Sequence, residues 1–330
     1  MIVNVCGAGS SGTTFLAAML DRHPRIACGD ELYLFNKPLL YRSFGRLRRL
    51  RRLFRAHGLS ASPQHPDRSL LRNLEGFGLD PDRVWRWVAE CPTIEALAAR
   101  FHAHIRALTG KPVWAEKTPS NSRTATLFAR HFPADRVIHL VRDPRDQALS
   151  RMRRGVDLDT AAWIWLTAVA AIQPLRGSDR LLELRYEDLA LDFDAQMLRI
   201  CKFLGLPCEP HWFHLDTHVS HGLSRSSGHV SWQSRPNGVP SAASIGRYCA
   251  TTIEFGPLLC ARLSAHYASL LATPCYSVAE LMAVYGYAVP EPNVWTNGGR
   301  RFLPLETAGP IMRRFHRLLD GDRPRSTILI

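Results

Sequence analysis

Short apolar, β-branched runs alternate along this chain with longer stretches whose apolar residues recur every three or four positions. Ile2-Val3-Asn4-Val5-Cys6 is the first such run and predicts a buried strand. Glycines follow at 7, 9 and 12, and then Phe15, Leu16, Met19 and Leu20 share one face of a predicted helix that stops at His23-Pro24. Residues 111–116 predict a second strand, 120–130 a helix and 136–141 a third strand. Asp143-Pro144 then starts a helix, with a capping carboxylate ahead of a proline in the first turn. Residues 181–186 predict a fourth strand, followed by a helix from about Asp192 to Leu204.

Strands alternating with helices predict an α/β fold, a three-layer parallel sheet flanked by helices whose ligands sit at the carboxyl ends of the strands. The chain reads as a single domain over 1–330. Residues 36–110 look mainly helical and predict an insertion, or lid, over the sheet. Residues 208–248 are rich in His, Ser, Gly and Pro and predict a loop region, and 290–330 form a basic extension.

Composition narrows the picture. With 330 residues and 46% hydrophobic content the chain can bury one large core. Its net charge of +13 comes from 38 Arg and only 4 Lys. Arginine suits planar contact with phosphate, sulfate and carboxylate, and so points to a polyanionic ligand, although coding bias can also enrich it. The eight cysteines form no C-x-x-C pair and read as reduced core residues of a cytoplasmic protein. A strand starting at residue 2 leaves no room for a preceding signal peptide, and no uninterrupted apolar run of about 18 residues predicts a membrane span.

The candidate chemistry starts at Gly7-Ala8-Gly9-Ser10-Ser11-Gly12-Thr13-Thr14. This has the glycine spacing and closing hydroxyl of a Walker A loop, but Thr13 stands where a nucleotide hydrolase carries lysine. A strand, a glycine loop and a helix N-terminus together make an anion site from oriented N–H groups and the helix dipole. At the next strand end Arg142 and Ser150 can converge on one tetrahedral dianion, and Arg154 is expected to share a helix face with Ser150. Lys117 is predicted just beyond the second strand, and Tyr186 at the end of the fourth.

These residues carry a family resemblance. Gly9 to Thr14 resembles the 5′-phosphosulfate loop of PAPS-dependent sulfotransferases, and Val141 to Ser150 resembles their 3′-phosphate motif. Arg185-Tyr186-Glu187-Asp188-Leu189 matches a further motif, and Ser244-Ile245-Gly246-Arg247-Tyr248 resembles the family's loop over the bound nucleotide. Ile26-Ala27-Cys28-Gly29-Asp30-Glu31 fits the Cys-Gly-acidic-Glu segment of the tyrosylprotein and carbohydrate branches. That fit favours Glu31 over Asp30 as the general base. No histidine stands in a motif like the one used by the cytosolic small-molecule branch.

The resemblance implies a P-loop-like sulfotransferase that moves a sulfuryl group from PAPS to an acceptor hydroxyl and leaves PAP. It implies Glu31 as base and Lys117 as the cation on the phosphosulfate bridge, with Gly9, Ser10, Ser11, Gly12, Thr13 and Thr14 cradling the 5′ end. Arg142, Ser150 and Arg154 would hold the 3′-phosphate, and Tyr186, Ser244, Gly246 and Arg247 would help enclose the nucleotide. No metal is implied. The expected partner is a hydroxyl on a carbohydrate, lipid or peptide and not a nucleic acid, and a homodimer is compatible with the sequence.

One residue departs from the family pattern. The position before Ser11 normally carries Arg or Lys, and here it is Ser10. Lys117 is the first candidate to make good that charge; a non-catalytic relative that binds nucleotide is the alternative. A P-loop nucleotide kinase is a further alternative, though it should have a lysine after Gly12. His211, His214, His218 and His221 crowd one segment without matching a strong zinc template. Seven arginines over 42–55, and the basic apolar stretch 311–319, read either as solvated helix faces or as faces for an anionic membrane or acidic acceptor. The expected location is cytoplasmic, and peripheral membrane association through these basic helices is compatible with the sequence.

Overall fold

The computed structural model describes residues 1–45, 73–214 and 242–290. Its centre is a five-stranded parallel sheet in the order β2-β3-β1-β4-β5. The strands are β1 (Ile2–Gly7), β2 (Ile26–Cys28), β3 (Val113–Lys117), β4 (Arg136–Val141) and β5 (Leu181–Arg185). β1 lies in the middle, with Val5 in register with Lys117 of β3 on one side and Ile138 of β4 on the other. Every residue of β1 is buried, as a strand covered on both faces requires.

The helices among the described residues are α1 (Thr13–Arg22), α2 (Pro38–Arg42), α3 (Pro81–Glu90), α4 (Ile94–Thr109), α5 (Ala125–His131) and α6 (Pro144–Met152). They continue with α7 (Leu158–Ala170), α8 (Tyr186–Leu191), α9 (Phe193–Leu204), α10 (Gly256–Cys260), α11 (Ala265–Leu271) and α12 (Val278–Val284). Three apolar clusters fill the space between helices and sheet. One joins Phe35, Phe101, Trp114 and Phe128, a second centres on α7 with Leu258 and Leu281, and a third packs Leu16 and Met19 against Val5, Ile138 and Ile200. Burying a side chain of this size stabilises the fold by about 1.5–3 kcal/mol.

The expected three-layer α/β architecture is present, and several local expectations change. β2 lies inside the segment read only as a base motif. The second strand runs to Lys117, so this lysine ends the strand rather than following it. The helix expected over 120–130 is a 3-10 turn at Pro119–Thr124 followed by α5. α6 stops at Met152, so Arg154 lies beyond the helix, exposed, and does not share a helical face with Ser150.

The described part of 36–110 is mainly helical. Residues 46–55 of the arginine-rich run, the stretch 311–319, and His218 and His221 lie outside the described residues. Leu158–Leu175 has the length and overall apolarity of a membrane span, with a mean hydropathy of 1.2, but polar residues interrupt it and 67% of it is buried inside the protein, where the second cluster surrounds α7. The described cysteines are all free, with Cys6, Cys28, Cys91 and Cys201 in the core, while Cys249 is exposed rather than a core residue.

Candidate active site

The glycine loop runs from the end of β1 into α1. Ser11 N–H donates to the Ala8 carbonyl at 3.1 Å and Leu16 N–H to that of Gly12 at 3.0 Å, which closes the turn. Gly12 has a φ of 96°, a left-handed conformation that glycine adopts without strain. A Cβ there would also lie 2.6 Å from the Tyr186 ring, so the aromatic side chain closes one wall of the loop. Gly12 offers no side-chain cap to α1, which leaves the first-turn amides of the helix directed at the loop. The hydroxyls of Ser10 and Ser11 are buried without hydrogen-bond partners. Orphaned polar groups inside a glycine cradle fit an anionic ligand that would satisfy them.

On one side of the loop β3 delivers Lys117. Its Nζ is 3.4 Å from Thr14 Oγ1 and 3.0 Å from Glu31 Oε1, and the residue is almost fully buried. Glu31 also accepts a bond from the Tyr33 hydroxyl at 2.7 Å on Oε2, and its carbonyl accepts from Asn73 Nδ2 at 2.9 Å. Lys117, Thr14 and Glu31, predicted separately from sequence, therefore meet at one point.

The neighbour of Lys117, Glu116, was not predicted and fixes that meeting. Successive side chains of a strand point to opposite faces, and Glu116 turns under the segment after Glu31. Its Oε1 accepts from Leu32 N–H at 3.1 Å and from the Thr118 hydroxyl at 2.6 Å, while Oε2 accepts from Asn121 Nδ2. Burial pushes its carboxyl above the usual range, with these hydrogen bonds acting in the opposite direction. A carboxylate at a strand end beside a motif lysine was the available sequence signal.

On the other side β4 delivers Arg142. Its guanidinium stacks over the Tyr186 ring at 4.4 Å, and its Nη1 and Nη2 donate to the carbonyls of Ser10 (3.3 Å) and Ser244 (2.5 Å). Its Nε is buried without a partner. The backbone of Arg142 is held as well, since Trp165 in α7 donates from Nε1 to its carbonyl at 2.8 Å.

Asp146, one helical turn further on, accepts from the amides of Gly246 (2.7 Å) and Tyr248 (3.1 Å). Arg145 is bound to Asp143 and stacks on Tyr248 at 3.9 Å. The loop at 242–250 is thus fastened to the start of α6. Asp143, Arg145 and Asp146 lie within the quoted motif, where the i, i+4 spacing of Arg142 and Asp146 was legible but not used.

Among the remaining expectations, Ser150 is half-buried in the last turns of α6, and Arg247 turns back to donate from Nε to the Ala243 carbonyl at 2.8 Å. His214 pairs with Asp194 at 2.7 Å, His211 lies edge-on to Trp212, and no group of three or more metal-ligating side chains occurs among the described residues.

A strand-loop-helix turn with orphaned hydroxyls thus has a lysine and carboxylate at one rim and an arginine-tyrosine stack at the other, and the three together form the candidate site. The sulfotransferase family model matches residues 3–210, and the chain belongs to that family. It is 25% identical over 252 residues to a protein-tyrosine sulfotransferase of Drosophila melanogaster, covering 72% of this chain and 42% of that protein. It is 28% identical over 218 residues to protein-tyrosine sulfotransferase 2 of Gallus gallus, covering 62% and 51%. These relatives lie on the tyrosylprotein side of the family, and the chain spans about half the length of the curated relatives it matches. In structure it is similar to the sulfotransferase domain from the Synechococcus PCC 7002 olefin synthase, with a TM-score of 0.60 at 22% identity over 88% of this chain and 95% of that one. The sulfotransferase domain from the curacin biosynthetic pathway has a TM-score of 0.56 at 18% identity, covering 88% and 98%. These likenesses show the shared fold. They give no support to the expected cytoplasmic location.

Proposed function

We propose that this chain is a PAPS-dependent sulfotransferase acting on an acceptor hydroxyl, with the described helices of the insertion bordering the acceptor side. The observation that carries the reading is the meeting of Lys117, Thr14 and Glu31 at the mouth of the glycine loop. PAPS supplies an activated sulfuryl group; the chain's own residues bind it, neutralise it and remove a proton.

Glu31 takes the proton of the acceptor hydroxyl. The acceptor oxygen forms its bond to sulfur as the bond from sulfur to the 5′-phosphate oxygen breaks, and that oxygen keeps the electron pair. Lys117 Nζ, the loop amides and the hydroxyls of Thr13 and Thr14 would offset the charge that grows on the departing phosphate, commonly the largest contribution in transfers of this kind. Arg142 and Ser150 would hold the 3′-phosphate, with Tyr186 as a wall and Ser244, Gly246 and Arg247 as the covering segment. Arg154, exposed beyond the end of α6, would contribute only its charge. Support for a tyrosyl or other peptide hydroxyl comes from the protein-tyrosine sulfotransferases among its relatives.

Calorimetry with PAP and with ATP tests the donor. Tight PAP binding with weak or absent ATP binding is expected; preference for ATP would support a kinase-like reading instead. Turnover of labelled PAPS over peptide, carbohydrate and lipid hydroxyls then identifies the acceptor, and PAP binding without any turnover would leave a non-catalytic binding protein.

A further inference from the structure

Ser10 stands where the family carries Arg or Lys, so the loop lacks one positive charge at its 5′ end. Lys117, the first candidate to replace it, already has its own place opposite Glu31 and Thr14. A different cation reaches the loop itself. Arg151, in the last turn of α6, rests its guanidinium against Gly9: a Cβ built on Gly9 would lie 2.5 Å from Arg151 Nη2 and 3.0 Å from Cζ. Gln147, one turn earlier on the same helix face, donates from Nε2 to the Gly9 carbonyl at 2.8 Å and pins the helix to the loop.

Arg151 is poorly compensated where it stands. Its Nε is buried without a hydrogen-bond partner, and it belongs to none of the ion pairs among the described residues. Burial and the Arg154 charge hold it below the ordinary guanidinium range, with Glu31 and Tyr33 acting the other way from across the site. Arg123, after β3, is brought down to about 10 by burial and then by Arg151 itself. A buried guanidinium that lies against a glycine cradle and feels like charges around it is stabilised by an anion bound there.

We propose that Arg151 is the cation Ser10 does not provide: reaching over Gly9, it contacts the 5′-phosphosulfate and neutralises the phosphate as the sulfur–oxygen bond breaks. This assignment rests on the donor reading above. It also gives Gly9 a task of its own, because any side chain there would occupy the space of the guanidinium.

The test compares two probes that differ only at the 5′ end, PAP and adenosine 3′-monophosphate, by calorimetry on the full chain. In Arg151→Gln, PAP affinity should fall about tenfold to a hundredfold, the usual range for losing a charged hydrogen bond, while affinity for the 3′-monophosphate stays within about twofold. Adding Ser10→Arg to that variant should restore the preference for PAP; both residues carry a Cβ at a backbone φ of 74°, so the exchange creates no new left-handed strain. Unchanged PAP affinity in Arg151→Gln, or an equal loss for both probes, overturns the role of Arg151 and leaves the donor reading standing. Failure of the unaltered chain to bind PAP overturns the donor reading, and this inference with it.

Discussion

Glu31 and Lys117 are bonded to each other, Oε1 to Nζ at 3.0 Å, across the mouth of the glycine loop. The proposed base and the proposed leaving-group cation thus neutralise one another before a donor arrives. Binding an anion beside Lys117 would draw it away from Glu31 and leave the carboxylate to the acceptor.

Binding and turnover should therefore respond to Glu31→Gln in opposite directions. Without the carboxylate, Lys117 is freed for the donor, so PAP affinity should hold or rise while turnover of labelled PAPS drops about 10²–10⁴-fold, the usual contribution of a general base. Lys117→Ala should lower both. Parallel calorimetry and rate measurements would reveal whether the signs differ; wild-type turnover in Glu31→Gln would remove the base assignment.

The tie between Asp146 and the amides of Gly246 and Tyr248 predicts a kinetic effect. In Asp146→Ala, PAP should dissociate about tenfold faster, as expected for losing two hydrogen bonds to a charged acceptor, with a smaller change in association. Stopped-flow displacement would measure both rates, and an unchanged dissociation rate would count against this segment as a cover.

Lys111 and Asp21 form a buried pair at 3.3 Å, and Asp21 Oδ1 also accepts from the Cys28 amide at 3.0 Å. Removing one partner strands a charge in the core, so Asp21→Ala should cost about 3–5 kcal/mol. Replacing both residues by apolar ones of similar volume should cost far less. Chemical denaturation of the two variants makes the comparison.

Acid should weaken the far end of the sheet through Glu183. Burial pushes its carboxyl up, but His139 at 3.4 Å, the Tyr285 hydroxyl and Arg176 at 2.7 Å outweigh that effect and hold it down at about 2. The folded value lies below the unfolded value of about 4.3, so the group stabilises the protein above that pH. Its contribution, on the order of 2 kcal/mol, is lost as pH falls from about 4.5 towards 2. Melting curves over that window should be flatter against pH in Glu183→Gln than in the unaltered chain.

How much of this was legible depended on the kind of signal. The glycine loop and the start of the helix after Arg142 were readable because each is a fixed pattern attached to a strand end. β2 escaped because three residues carry no usable period. The expected Ser150–Arg154 face failed because α6 ends at Met152, with Gly155 in a left-handed turn just beyond. Glu116 and Arg151 escaped for a related reason: each adjoins a motif residue, yet acts on a segment distant in sequence, and only the packing of β3 and α6 against the loop brings them there.

The strand order carries a consequence for how such a site can change. β1, at the centre, leads into the glycine loop, whereas the segment bearing Glu31 leaves β2, an edge strand paired only with β3. Insertions and substitutions beyond that edge can reshape what approaches Glu31 while the central strands, and the cradle they hold, stay in register. The sheet thus sets the glycine loop on its central strand and the Glu31 segment at its edge, with β3 between them and Lys117 at its tip.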